Sequence, residues 1–286
     1  MKRTLRKHLT AMALLRARNA DRSMAGMKRA LAFAFRNGAR ELAHYVQHNR
    51  EFHISKEFSA RLQHEIYSAI RRPMLAMAVH GFQLAGAETK IVGKSRFDNA
   101  QGKAFANSGV GFSEDRSKFV LNNKWPNLEK WVSTTSESAN NTFGARMLGI
   151  FQEAADYRDP ETGRGRTPSD IAQSLLESGM DLSEERANMI ARTGSIWAYN
   201  EGAVERYVAD GVEVVEWLTA DDDLTCPFCA EMNGKNVDTQ ESFFSNGDSL
   251  QAGGESLKFG RFDVKHPPLH PNCRCTLIPV VDESQL

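Results

Sequence analysis

Cysteine is scarce in this chain, and none occurs in the first 225 residues. A disulfide framework distributed along the chain is thereby excluded. Long apolar runs are missing as well: no stretch approaches the roughly 18 uncharged apolar residues of a membrane span, so no membrane partner is expected. The opening MKRTLRKHLTAMALLRAR has a basic start, but Arg16 and Arg18 cut its apolar run, so it is not read as a signal peptide. Residence in a reducing cytoplasm follows, where thiols bind metal rather than each other. Several catalytic signatures are absent too. The GVG at Gly109 to Gly111 is followed by no GK[ST], which removes a phosphate loop. His44 and His48 have the HxxxH spacing of a zinc protease but lack its Glu. No HxE precedes the CxxC, as a zinc deaminase would require.

Net charge is also absent, yet the average hides an asymmetry. Residues 1–90 hold 17 Lys and Arg against 6 Asp and Glu, a net of +11, and the remaining residues hold 19 against 30. A basic end of this kind suits nucleic acid or an acidic surface.

The cysteines that are present sit in two clusters. Cys226 and Cys229 form TCPFC, and Cys273 and Cys275 lie in HPPLHPNCRC beside His266 and His270. A CxxC followed about forty residues later by HxxCxC has the form of two half-sites for one tetrahedral ion, and zinc fits that donor set. Six candidate ligands compete for about four places. The expected set is Cys226, Cys229, His270 and Cys273. Because Cys273 and Cys275 share a face in an extended segment, a four-cysteine site is its main rival. Two disulfides or four free thiols are the plainer alternative. Arg274 should point away from the ligands and pair with Asp222, or else meet a partner or DNA.

The chain divides into three segments: residues 1–90, 91–166 and 167–286. The first reads as helices. Met24, Met27, Leu31 and Phe35 form one apolar stripe, and Phe58, Leu62, Ile66 and Ile70 form another. Leu75, Val79 and Phe82 follow Pro73, which is expected to kink or restart the helix. Lys28, Arg29, Arg36 and Arg40 fall among these positions and are candidate contacts to DNA or to an acidic protein wall, with a solvated basic face as the bland alternative. The second segment opens with a glycine-rich polar stretch read as loop or weak strands, and helix resumes from about Asn127 to Tyr157. RDPETGRGRTPSD is a surface loop.

The third segment starts with Thr167 as N-cap, Pro168 in the first turn and Asp170. Ser183 is expected to cap a separate helix that ends at Asp210-Gly211. VEVVEWLTA is a strand with Val212, Val214, Glu216 and Leu218 on one face. Asn233-Gly234 is a tight turn, residues 238–265 a loop or small hairpin, and CTLIPVV a last strand. The fold class is therefore α-rich, α+β: basic N-terminal helices, further helices, and a small C-terminal module with short strands stapled by metal.

The stretch from Trp217 to Pro279 resembles the C-terminal signature of the phage Mu F-like minor head proteins, also called phage head morphogenesis proteins. Trp217, Asp222, Thr225, Cys226, Cys229, Gly234, Pro268, His270, Cys273, Arg274, Cys275 and Pro279 fill that pattern. In the preceding helix Ala191, Arg192, Thr193, Asn200 and Gly202 match, while Gly194 stands where Glu is often found. The resemblance covers about residues 160–282. It implies a virion component in the head or near the portal, made in a bacterial host cytoplasm and without catalytic activity. Its partners would be portal or major capsid protein, and packaged double-stranded DNA without sequence preference. A different class remains open beside it: a metal-dependent nuclease or injected effector acting through His266 or an aspartate of the 221–223 run.

Overall fold

The computed structural model describes residues 2–49, 53–91, 126–220 and 222–280. The glycine-rich stretch after residue 91, including Gly109 to Gly111, lies outside the described residues, as does Asp221. Four long helices come first: α1 (Lys2–Asn49), α2 (Lys56–Ile91), α3 (Pro126–Asp156) and α4 (Pro168–Asp210). Short elements follow: β1 (Val214–Leu218), α5 (Pro227–Met232), β2 (Asn236–Asp238), β3 (Ser249–Ala252), β4 (Glu255–Lys258) and β5 (Thr276–Pro279). No described helix is long and apolar enough to cross a membrane.

Two compact units result, and their chain segments interleave. One is built from Met1–Ser23, Met74–Trp125 and Arg192–Leu286, and the other from Met24–Pro73 and Pro126–Ala191. Three of the long helices thus give one part to each unit, and α2 changes unit at Pro73.

One sequence expectation about helix breaks fails at Ser183, and the one at Pro73 loses its restart alternative. Pro73 does not restart a helix, because α2 runs through it. One missing N–H is a local loss in a 36-residue helix whose flanking residues, Ile70, Met74 and Met77, are buried. No separate helix starts at Ser183, because α4 is continuous across that position for 43 residues. Packing on both sides of that point outweighs a local capping preference. The start of α4 is as expected. The Thr167 hydroxyl accepts the Asp170 N–H at 3.2 Å, and the Asp170 carboxylate accepts the Thr167 N–H at 2.9 Å. Its end falls at Asp210, where Gly211 takes φ 75°.

The all-helical unit has an aromatic centre. Phe143 of α3 lies 6.1 Å from Phe35 of α1 and 6.4 Å from Phe58 of α2, ring centre to ring centre. Met27, Leu31, Leu62, Ile66 and Ile70 are buried as their spacing predicts, each contributing about 1.5–3 kcal/mol by leaving water. Val132, Ala139, Phe143, Met147 and Phe151 mark the buried face of α3.

The other unit contains a three-stranded antiparallel sheet of order β2-β1-β5. Val215 and Trp217 of β1 join a core with Tyr207, Met232, Leu250, Leu269 and Leu277. On the alternate positions Leu218 packs with Ile278 and with Leu9 and Ala13 of α1, and Arg6 bonds Glu216. Both faces of this small sheet are therefore covered. In the second half of α2 the buried face holds Met74, Met77, Ala78, Ala85 and Glu88. Leu75 and Phe82, expected inside, are only half-buried, because small residues line the contact with α4. Gly81 and Gly202 sit where a Cβ would meet Tyr199 O at 2.2 Å and Ala78 O at 1.9 Å, so the two helix backbones approach closely. Hairpin β3–β4 turns on Gly253 and Gly254, both with positive φ, as a two-residue primed turn requires.

Candidate metal centre

The first half-site forms at the start of α5. Cys226 has extended backbone, φ −74° and ψ 160°, and is the N-cap; its Sγ accepts the Cys229 N–H at 3.4 Å. Pro227 at the first helical position fixes the turn, so the two sulfurs emerge on one side. Upstream, the Asp222 carboxylate accepts the Leu224 N–H at 3.1 Å and the Asp222 N–H reaches the Thr225 hydroxyl at 3.2 Å. Arg274 donates to both Asp222 oxygens at 2.6 and 2.5 Å, the internal pair expected for it. That guanidinium holds the Asp222 carboxyl below its usual range. The pair is solvent-exposed. Arg274→Ala is expected to lower the melting temperature by a few degrees at most and to leave bound metal unchanged, read by differential scanning and elemental analysis. A large loss of metal would make the pair part of the centre.

The second half-site comes from the segment before β5. Asn272 adopts φ 63°, and its N–H donates to the Thr193 hydroxyl of α4 at 3.2 Å. This turn directs His270 and Cys273 back toward α5. The Pro271 carbonyl lies 2.8 Å from His270 Nδ1. A carbonyl only accepts, so Nδ1 carries the ring proton and Nε2 presents its lone pair. Nε2 sits 3.1 Å from Cys226 Sγ and 3.2 Å from Cys229 Sγ.

Two donor triads result, Cys226–Cys229–His270 and Cys229–Cys273–Cys275, and Cys229 belongs to both. The Cys229 and Cys273 sulfurs are 3.7 Å apart. Two thiolates on a tetrahedral zinc with bonds near 2.3 Å stand about 3.8 Å apart, so this edge already has the right length. A small cleft of about 30 Å³ lies among these side chains, room for one ion. Cys229, Cys273 and Cys275 are buried. The thiols of Cys229 and Cys275 donate to Cys273, which holds the Cys273 thiol well below its usual range, whereas the same bond to Cys273 pushes Cys229 up. A buried set of soft sulfurs, with one imidazole fixed in the ligating tautomer, fits a zinc-type ion. One buried N–H belongs to this setting: Trp217 Nε1 meets no oxygen or nitrogen acceptor among the described residues and interacts with the Cys275 sulfur.

All five expected ligands are thus brought together, and all four cysteines are free thiols. His266 is not part of either triad. It is buried, with Nε2 2.8 Å from Glu201 Oε2, Nδ1 2.6 Å from the Pro267 carbonyl, and Trp197 against its ring. His44 and His48 stack on each other at 4.0 Å on α1. Of the candidate basic contacts, Arg29 and Arg40 are exposed while Lys28 and Arg36 are half-buried.

Sequence reasoning missed what holds β5 in place. Arg16 of α1 is 1% exposed and donates to Glu88 Oε1 at 2.9 Å, to the Tyr207 hydroxyl at 3.0 Å, to Thr276 Oγ1 at 2.9 Å and to the Leu277 carbonyl at 2.6 Å. Thr276 donates to Asn200 Oδ1 at 2.9 Å, and the Asn200 amide reaches the Cys275 carbonyl at 3.4 Å. The available signal was an arginine in the middle of the LTAMALLRAR stripe, on a helix face that otherwise carries Leu9 and Ala13.

Residues 162–278 match the family model described as phage Mu protein F like protein. No curated protein and no solved structure matches the chain.

Proposed function

We propose that this chain, whose residues 162–278 belong to the phage Mu F-like family, is a phage head morphogenesis protein: a minor capsid component of the virion, structural rather than enzymatic. The family match carries this reading. It spans the helix that supplies Thr193, Asn200 and Gly202, the CxxC and the HxxCRC, so the matched residues are those that build the cluster. The proposed partners are the portal or the major capsid protein. Arg29 and Arg40, with Lys28 and Arg36, are proposed to meet packaged double-stranded DNA or an acidic portal surface, since phosphate contacts need only well-placed cations.

Zinc is the proposed ion, held by Cys226, Cys229, His270 Nε2 and Cys273, with Cys275 as a fifth, buried thiol beside them. Its contribution is structural. The sheet has three strands of three to five residues, and the chain between the two half-sites is long and polar. Ligand bonds across that loop offset the entropy of closing it.

Two measurements test this reading. Purified virions of the encoding phage, analysed by mass spectrometry, are expected to contain the chain in few copies; its presence in infected cells but not in virions would overturn the capsid role. Elemental analysis of purified protein is expected to give one zinc per chain, and none for Cys226→Ser. A metal-free wild type, prepared reduced and without chelator, would sink the zinc reading and leave the family membership untouched.

A further inference from the structure

The first part of α1 lies across β1 and β5, and its attachment runs through buried polar atoms that end at the metal cluster. Leu9 and Ala13 pack on Ile278 and Leu218, and Arg6 bonds Glu216. Arg16 then inserts a charge into the interior, where Glu88, Tyr207, Thr276 and the Leu277 carbonyl receive it. Thr276 and Leu277 follow Cys275 directly in the chain, and Asn200 ties the Thr276 hydroxyl to the Cys275 carbonyl.

We propose that residues 6–20 of α1 form a clasp whose docking is linked to metal occupancy of the Cys/His cluster. This rests on the zinc reading above. The physical reason is that one short strand serves two masters. An ion bound by Cys226, Cys229, His270 and Cys273 fixes the entry to β5. β5 supplies two of the acceptors that make a buried guanidinium tolerable. If β5 shifts, Arg16 keeps its burial and loses part of its compensation, so α1 must loosen. Linkage is reciprocal: whatever factor the ion gives to clasp docking, docking returns to ion affinity.

Several features make this a device of the fold and not ordinary packing. Arg16, Glu88, Tyr207, Asn200 and Thr276 are each 2% exposed or less, so no water replaces a lost partner. They come from α1, α2, α4 and β5, so the bonds close only when all four elements are in place. The donors and acceptors run without a gap from Arg16 to the Cys275 carbonyl.

The test is hydrogen exchange on the full chain, zinc-loaded and after chelation, followed in peptides covering residues 6–20 and 192–210, both in the unit that carries the cluster. Chelation is expected to reduce protection in 6–20 by on the order of tenfold, while 192–210 stays protected. Conversely, Thr276→Val and Arg16→Met are expected to bind zinc roughly tenfold more weakly than wild type in equilibrium competition with a chromophoric chelator. Thr276→Val keeps shape and removes only the hydroxyl, so it answers the question even where Arg16→Met fails to fold. Unchanged protection of 6–20 after zinc removal overturns the proposal and leaves the zinc reading standing. So does loss of protection in both peptides together, which is global unfolding. A wild type that holds no zinc overturns both.

Discussion

Gly202→Ala is expected to prevent the unit carrying the Cys/His cluster from folding, with a loss above about 3 kcal/mol where a folded fraction can be measured at all. A Cβ at this position stands 1.9 Å from the Ala78 carbonyl oxygen and 2.8 Å from both Ala78 C and Phe82 N. These are backbone atoms of α2, so no rotamer relieves the overlap, and the helices themselves must part. Gly81 has the reciprocal problem against Tyr199. Moving α2 from α4 also separates Glu88 from Tyr207, which share a buried hydrogen bond. The helix-propensity gain of Gly→Ala, about 1 kcal/mol, works the other way and is too small to compensate. Gly144→Ala supplies the contrast. Its Cβ meets nothing within 4 Å, so only the propensity gain remains, and stability should rise by roughly 0.5–1 kcal/mol. Urea unfolding followed by circular dichroism measures both. A Gly202→Ala protein with wild-type stability would show that α2 and α4 are not this close.

The sequence reading succeeded where chemistry is local. A CxxC, a proline at a helix start, Thr167 before Pro168, and Asn233-Gly234 each act through bonds to residues within a few positions. The spacing of Phe58, Leu62, Ile66 and Ile70 likewise needs only helical geometry. The placement of all five cluster ligands followed from residue type, because buried thiols and an imidazole have few other uses in that arrangement. What stayed hidden depends on partners far along the chain. Arg16 lies 260 residues from Thr276, and its spacing alone marks it as an interruption of an apolar run. Glu88 reads as a surface acid until Arg16 and Tyr207 enclose it. The interleaving of the two units is hidden for the same reason, since three long helices pass a unit boundary without any change in composition. Gly202 belonged to a recognised pattern, yet the need for it came from Ala78.

Arg16→Met is expected to cost about 3–5 kcal/mol, while Arg16→Met combined with Glu88→Leu should cost clearly less than the sum of the two single changes. Each single change strands a partner. Without Arg16, the Glu88 carboxylate is fully buried beside one hydroxyl; without Glu88, the guanidinium keeps only Tyr207, Thr276 and the Leu277 carbonyl. Removing both takes the uncompensated charge away and leaves an apolar pair of similar volume. The pH dependence gives a second reading of the same physics. Burial already pushes the Glu88 carboxyl up from its usual range, and Arg16 pulls it back. In Arg16→Met only the Tyr207 hydroxyl still opposes the push, so the folded state holds a proton that the unfolded state releases. Stability that depends on that proton is present below the unfolded carboxylate range and disappears as pH rises through the elevated folded value. The gap between wild type and Arg16→Met should therefore widen from pH 5 to pH 8 in urea midpoints. Comparing the two proteins at each pH cancels the contribution of every ionisable group they share. A gap independent of pH, or additive single changes, would mean that Glu88 finds another cation when Arg16 is gone, and the buried pair would then be two separate interactions.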